Sequence, residues 1–510
     1  MLSYTFFVSE GEKGMRIFLT GNQMREADNY TIHEIGLPSM VLMERAALQI
    51  VKRLECGRLS KSSKVLVVCG SGNNGGDGYA VARLLHLKGY CVEICFVGNE
   101  DSRSEENRKQ KEIAEHYKIP VVESVGEKEY TVIIDAIFGI GLKGDIEGKY
   151  YDVISRLNQM KGLKVAVDIP SGIDDTTGRV MGIAFKADKT VAIAYAKRGL
   201  ILYPGCEYAG DILEEDIGIT EDAIPRNETV SYGYDLEDLR KSFPKRKADS
   251  HKGSYGKVLL IVGSKGMSGA SYLCAKAVYE VGAGLVQIYT TEDNRVILQE
   301  SLPEAIVTTY NEYDEAQLEE LLKWADVVGI GSGLGKSETS AKIVKDTMKK
   351  AECPCVVDAD GLNIIAEHME WLNDRKQEVI LTPHMKEMSR LLKCSVKDLA
   401  EERVPILTEF VSKYAVTCVL KDARTLVATP GRDLYMNMSG DSAMAKAGAG
   451  DVLTGIITGI AAQHIESHEA ASMGAYIHGI AGLVARDNKG RYSVLASDII
   501  DGIGEVLKRL

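Results

Sequence analysis

Short apolar runs recur along the chain, each ending at a glycine or a carboxylate and followed by residues with helical spacing. In the first half they read KVLVVCG, YCVEICFVG, TVIIDAIFG, LKVAVDIPSG and KTVAIAYA. After about residue 225 come KVLLIVGS, LVQIYTT, DVVGIGSGLG, PCVVDADG, VILTPH, TCVLKDARTLVA and RYSVLASD. Most are continuous rather than alternating, the mark of parallel strands covered on both faces. Between them, stretches such as MVLMERAALQIVKRL and SGASYLCAKAVYEVGAG carry the apolar stripe of amphipathic helices. Strand and helix in turn, joined by right-handed crossovers, predict an α/β fold of two domains, each a mostly parallel sheet flanked by helices. The rhythm stops in GITEDAIPRNETVSYGYDLEDLRKSFPKRKADSHKG, where charge accumulates. The expected parts are an N-terminal extension over residues 1–14, a first domain over 15–225, a linker over 226–235 and a second domain over 236–510. The coherent pattern begins at MRIFLTGNQMREADNY, which makes Met15 the expected start.

Length and charge narrow the picture. A chain of 510 residues is too long for one hydrophobic core. With 61 basic against 73 acidic residues the net charge is −12, which argues against a nucleic-acid or anionic-membrane partner. Any phosphate must be held locally, by backbone N–H groups, a few lysines or a metal ion. The ten cysteines are scattered and mostly apolar in setting; Cys353 and Cys355 form a C-x-C pair, but no C-x-x-C or Cys/His cluster appears. Reduced core cysteines and a cytoplasmic location are expected. No apolar stretch has transmembrane length, and MLSYTFFVSEGEKGM lacks the form of a signal peptide.

Chemistry gathers at strand ends, where open α/β sheets bind ligands. Strand VLVVC runs into Gly70–Asp77, TVIID ends at Asp135 and continues to Asp145, and KVAVD ends at Asp168 before IPSG. Three strand ends therefore aim Asn73, Asn74, Asp77, Asp135, Lys143, Asp168 and Ser171 at one crevice. Glycines admit phosphate close to the backbone, and a helix N-terminus favours it. The first loop is neither G-x-G-x-x-G nor Walker A, so hydride transfer and ATP hydrolysis lose their best support. A glycine loop alone also serves tight packing, and Asp135 and Asp168 also suit helix caps; convergence sets this group apart. A lysine beside carboxylates permits proton transfer, and hard oxygen donors of low charge suit a monovalent cation better than zinc.

NNGGDG, DAIFGIGLKGD and VDIPSGID, in that order over about residues 15–225, resemble the NAD(P)H-hydrate epimerases, with a Rossmann-like domain. The resemblance implies interconversion of the R and S forms of a dihydronicotinamide cofactor hydrated at ring carbon six. It implies that Asn73, Asn74, Gly75, Gly76 and Asp77, with Gly139, Ile140, Gly141, Leu142, Lys143, Gly144 and Asp145, hold the substrate. Asn74, Asp135 and Ser171 would bind potassium, and Asp168 would contact the hydrated ring. Lys143 and Asp168 are the expected acid/base pair, since inversion breaks and remakes a bond to oxygen or ring nitrogen.

The second half offers HKGSYG, GSGLG, VVDADGLN with Asp358 and Asp360, His384 in LTPHMKEM, and KDART. Its strongest element is AKAGAGDVLTGIITGIAAQH, where Gly448–Asp451 opens a small-residue helix. Backbone N–H groups there form an anion hole, and Asp451 can accept the proton of an attacking hydroxyl. As a capping residue Asp451 would do neither, and a lone histidine such as His384 is often a cap. The G-x-G-D turn resembles the ribokinase-like fold, and the whole set over about residues 236–508 is similar to the ADP-dependent NAD(P)H-hydrate dehydratases. By that resemblance Ala270, Gly333, His384 and Asp451 contact the hydrated cofactor, while Lys421, Asp422, Ala423, Arg424, Thr425 and Gly450 hold ADP. It implies phosphorylation of the ring hydroxyl, with Mg2+ neutralising the transferring charge, and departure of phosphate. The family's turn is usually Gly-Gly-Thr/Ser-Gly-Asp; here it is Ala447-Gly-Ala-Gly-Asp451, and the preceding SGDSAMAK also departs from the usual pattern. Activity is expected to survive, with altered nucleotide affinity.

The expected partners are small molecules, hydrated NADH or NADPH and ADP, together with a second copy of the chain in a homo-oligomer; neither nucleic acid nor membrane is expected. Two rivals stand beside this reading: a small-molecule kinase acting on a hydroxymethyl group in the second half, and a non-catalytic nucleotide-binding or protein-interaction module in the first.

Overall fold

The computed structural model describes residues 15–57, 59–126, 128–225 and 228–510. The expected extension over residues 1–14 lies outside them, as do positions 226 and 227 of the expected linker. Two compact units result, the first ending at Ser231 and the second running Tyr232–Leu510.

In the first unit a parallel sheet runs in the order Val121–Val122, Cys91–Phe96, Lys64–Cys69, Val132–Ala136, Leu163–Val167, Lys189–Ile193 and Asp211–Glu215. Continuous apolar runs are explained by what covers each face. Val65, Val67 and Cys69 enter one core cluster with helix residues Tyr79, Val81 and Leu85, while Leu66 and Val68 enter another with Ile154 and Leu157. Successive side chains point to opposite faces, so a strand covered twice has no polar position to spare. Lys64, at the strand's start, is its one exposed residue. Outside that seven-stranded order, Arg16–Leu19 pairs in parallel with Ala196–Lys197.

The second unit orders its parallel strands Ile306–Tyr310, Leu285–Thr291, Lys257–Ile261, Val327–Ile330, Cys355–Val357, Val379–Leu381 and Thr417–Leu420. Leu426–Ala428 and Leu434–Met436 then add antiparallel. TCVLKDARTLVA is thus a hairpin rather than one strand, with KDART as its turn. RYSVLASD is not a strand either: it leads into the helix Ala496–Leu507, and its apolar Val494 is simply buried. Tyr232 and Tyr234, in the expected linker, pack into the second unit's core against Tyr435, and the Tyr232 hydroxyl lies 2.9 Å from His468 Nε2. Among the described residues no helix is long and apolar enough to cross a membrane, and the ten cysteines form no disulfide.

Candidate functional sites at the strand tips

In the first unit, Asn73–Asp77 is not a loop but the start of the helix Asn73–Leu87, capped by Gly72. Gly75 has to be glycine, because a Cβ there would sit 2.0 Å from the Gly70 carbonyl oxygen. This closeness seats the helix N-terminus on the strand tip. Beside it a cleft of about 530 Å³ is lined by Asn73, Asn74, Asp77, Gly139–Leu142 and Asp168, all expected, and by Asp28 and Lys197, which were not.

Asp168 follows the strand Leu163–Val167 with φ +66°, left-handed backbone that aspartate tolerates better than most residues. Its Oδ1 accepts from the Ile193 N–H at 2.9 Å and from Lys197 Nζ, which also donates to the Ile193 carbonyl at 2.9 Å. Lys197 is 1% exposed. The ammonium on Asp168 is that of Lys197, while Lys143, expected to share the acid/base work with Asp168, is exposed, as are Gly144 and Asp145. Burial pushes the Asp28 carboxyl up to about 6, against the pull of Lys197. Burial, and then the charges of Asp168 and Asp28, hold Asp77 well above the usual carboxylate range.

Behind the cleft, Asp135 Oδ1 accepts from the Ser171 hydroxyl at 2.6 Å and the Ile137 N–H at 3.2 Å, and Oδ2 accepts from the Ser171 N–H at 2.8 Å. Burial raises Asp135 to about 6 despite these bonds. Asn74 Nδ2 donates to the Phe138 carbonyl at 3.0 Å, and Phe138 N–H donates to the Ser171 hydroxyl at 2.8 Å. Asn74, Asp135 and Ser171 thus meet around one backbone segment.

In the second unit Asp358 closes the strand Cys355–Val357 and precedes the helix Ala359–Glu367. Lys421, closing Thr417–Leu420, donates to Asp358 Oδ1 at 2.7 Å and stands 3.9 Å from Glu387 Oε2. Thr382 donates to Asp358 Oδ1 at 2.8 Å. Burial would raise the Asp358 carboxyl, but the charge of Lys421 and these hydrogen bonds outweigh it and hold it below its ordinary value. His384 caps the helix Met385–Leu392, its Nδ1 accepting from Lys386 and Glu387 N–H at 3.1 Å each. That leaves the ring proton on Nε2, 3.3 Å from Glu387 Oε1.

Asp451 lies in the first turn of the helix Ala449–Ala461, entered through Gly448 at φ +91°. Burial, then the charge of Asp358, raise its carboxyl to about 6, with Ser332 and Lys421 opposing. Gly450 stands over Lys421: a Cβ there would lie 3.5 Å from Nζ. Ala270 and Gly333 touch, since a Cβ on Gly333 would come 2.9 Å from that of Ala270. Asp422 turns outward to pair with Arg403 at 3.1 Å, and Ala423–Thr425 complete the hairpin turn. Glu387 and Thr382, which join Lys421 and Asp358 into one network, were not anticipated. The HMKE spacing of a capping box was the one local signal for Glu387.

A family model described as NAD(P)H-hydrate dehydratase matches residues 258–505, and one described as YjeF-related protein N-terminus matches 39–199. The bifunctional NAD(P)H-hydrate repair enzyme of Moorella thermoacetica is 35% identical, covering 96% of this chain and 97% of its own. The chain belongs to the bifunctional NAD(P)H-hydrate repair enzymes. The family member from Escherichia coli is 33% identical over 95% of this chain and 93% of its own. A solved ADP/ATP-dependent NAD(P)H-hydrate dehydratase of Bacillus subtilis, co-crystallised with ATP and Mg2+, is 30% identical, covering 54% of this chain and 97% of that one with a TM-score of 0.49. Membership in this family does not favour the small-molecule kinase for the second half.

Proposed function

We propose that the chain repairs hydrated nicotinamide cofactors in two steps. The first unit interconverts the R and S forms of hydrated NADH or NADPH, and the second dehydrates the S form while ADP becomes AMP and phosphate. The observation that carries this reading is the gathering of carboxylates at the strand tips of each unit, Asp77 and Asp168 on one cleft in the first and Asp358 and Asp451 about Lys421 in the second, where desolvation raises Asp77 and Asp451. Carboxyls tuned toward neutrality are what proton transfer at a hydroxyl-bearing carbon needs.

In the second unit, Asp451 takes the proton of the ring hydroxyl as its oxygen attacks the terminal phosphoryl group, and N–H groups of the Ala449–Ala461 start hold the developing charge. Hydroxide leaves badly and phosphate well, so phosphorylation prepares the dehydration. Lys421, with Asp422, Ala423, Arg424, Thr425 and Gly450, is assigned to ADP; its closeness to Gly450 supports this. Ala270, Gly333, His384 and Asp451 are assigned to the hydrated cofactor, supported by the Ala270–Gly333 contact. Among the described residues no three His, Cys, Asp or Glu side chains form a metal cluster. Mg2+ then fits as a companion of the nucleotide, which is its common mode, and would offset phosphate charge.

In the first unit, Asn73–Asp77 and Gly139–Asp145 are assigned to the substrate, and Asp168 to the hydrated ring. Asn74, Asp135 and Ser171, with the Phe138 carbonyl, would hold K+; the single carboxylate among neutral oxygens suits a monovalent ion. It would supply positive charge near the pyrophosphate. Domain limits of 15–225 and 236–510, a cytoplasmic location and a homo-oligomer belong to the same proposal. The absence of disulfides among the described residues agrees with a reducing compartment.

Mixed epimers incubated with ADP, and separately with ATP, test the whole. Recovery of dihydronicotinamide absorbance to full consumption is expected. A stall at one epimer would remove the first activity, and no recovery would remove the second.

A further inference from the structure

We propose that Asp28 is a proton-transfer group of the first unit, working together with Asp77 in the cleft that both line with Asp168 and Lys197. This rests on the reading of that unit as an epimerase. Asp28 comes from the helix Gly21–His33, far in sequence from the motifs that define the site, yet it lines the same cleft.

Charge counting supports the assignment. Three carboxylates, Asp28, Asp77 and Asp168, meet one buried ammonium, Lys197, which is already hydrogen-bonded to Asp168. Two like charges sharing a poorly solvated cleft cannot both ionise cheaply, so a proton stays with Asp28 or Asp77. Arg25 adds a second cation to the lining, but it is exposed and its charge is screened by solvent, so Lys197 is the one buried cation. The helix Ser39–Cys56 contributes Ser39, Leu42, Met43 and Ala46, and the 137–142 loop contributes apolar residues and glycines. Arg25, on the same helix as Asp28, donates to the Ile140 carbonyl at 2.6 Å. Burial, then the charges of Asp168 and Asp28, push Asp77 well above the usual carboxylate range, and burial raises Asp28 to about 6; Asp77 is therefore assigned the part of proton donor and Asp28 that of acceptor.

That division matches the opening of a ring whose C6 carries both a hydroxyl and nitrogen N1. The Asp28 carboxylate takes the hydroxyl proton, and the O–H pair becomes the second bond of a carbonyl. The C6–N1 bond breaks with its pair going to N1, which takes the Asp77 proton. Rotation about the bond to C6 presents the other carbonyl face. Closure reverses every transfer: N1 returns its proton to Asp77, bonds to C6, and the oxygen regains a proton from Asp28. No atom or electron is gained or lost, and no co-reactant is required.

The test is the rate of R-to-S exchange, without nucleotide, as a function of pH. The wild type is expected to gain rate through a limb near pH 6 as Asp28 ionises. Asp28→Asn should lose about 10²-fold or more and lack that limb, and Asp28→Glu should restore part of both. Circular dichroism of each variant checks that it is folded. Should folded Asp28→Asn keep the wild-type rate and limb, the proposal is overturned while the epimerase stands. If the wild type itself shows no exchange above the spontaneous rate, the epimerase reading falls instead.

Discussion

Replacing Lys421 by methionine is the sharpest test of how the second site is held together. The Lys421 side chain is 18% exposed, and its partners Asp358 and Glu387 are only 2% and 7% exposed. Methionine keeps most of the stem's packing but removes the 2.7 Å bond to Asp358, leaving two carboxylates in a poorly solvated pocket. Thr382 stays on Asp358 Oδ1, but a hydroxyl does not neutralise a charge. Breaking a buried pair this way costs about 3–5 kcal/mol. Spread over the unfolding entropy of a unit the size of Tyr232–Leu510, that lowers its midpoint by roughly 5–9 °C. Both tryptophans, Trp324 and Trp371, belong to this unit, so their fluorescence follows it alone. Protonating the stranded carboxylates relieves the defect, so the deficit should be smaller at pH 5 than at pH 8. The double variant Lys421→Met with Asp358→Asn should recover most of the loss. A deficit below about 1 kcal/mol, or one indifferent to pH, would refute the reasoning.

Three further outcomes are expected. Asp451→Asn should slow dehydration by about 10²–10⁴-fold. The wild-type rate should rise with pH through about 6, because the base works only once ionised, and the variant's rate should be flat there. Gly448→Ala should destabilise the second unit by about 1–3 kcal/mol in urea followed by tryptophan fluorescence; its φ is +91° and its Cβ would lie 2.6 Å from Leu273 Cδ1. Exchanging Na+ for K+ should raise the first unit's melting point in the wild type, by up to about 2.7 kcal/mol of added stability at a hundredfold excess over Kd. In Asp135→Asn the two salts should give the same melt by circular dichroism.

What the sequence disclosed follows from which signals are local. Strand runs such as KVLVVC announce themselves because burial on two faces excludes polar residues along the whole element. Strand-tip groups such as Asp135, Asp168 and Asp358 follow from where the runs stop. Lys197 and Asp28 were hidden: one sits in AYAKRGL, the other on an amphipathic helix, and only the folded chain brings both to Asp168. Lys143 drew attention because it adjoins the right motif, yet it lies exposed beside the cleft. The hairpin at KDART escaped because its two arms, TCVL and LVA, read as one apolar run, and RYSVLASD misled because burial of Val494 looks the same in a coil as in a strand.

The left-handed backbone at Asp168 has a consequence for how this site can decay. At φ +66° a branched or bulky side chain strains the main chain, whereas asparagine and glycine add little backbone cost, provided that Lys197, whose buried ammonium Asp168 neutralises, is replaced as well. A descendant that abandons the chemistry but keeps the fold is therefore channelled toward Asn or Gly at this one place. Such a pair of replacements in an otherwise intact chain would be the scar of retired catalysis, distinct from wear on the scaffold.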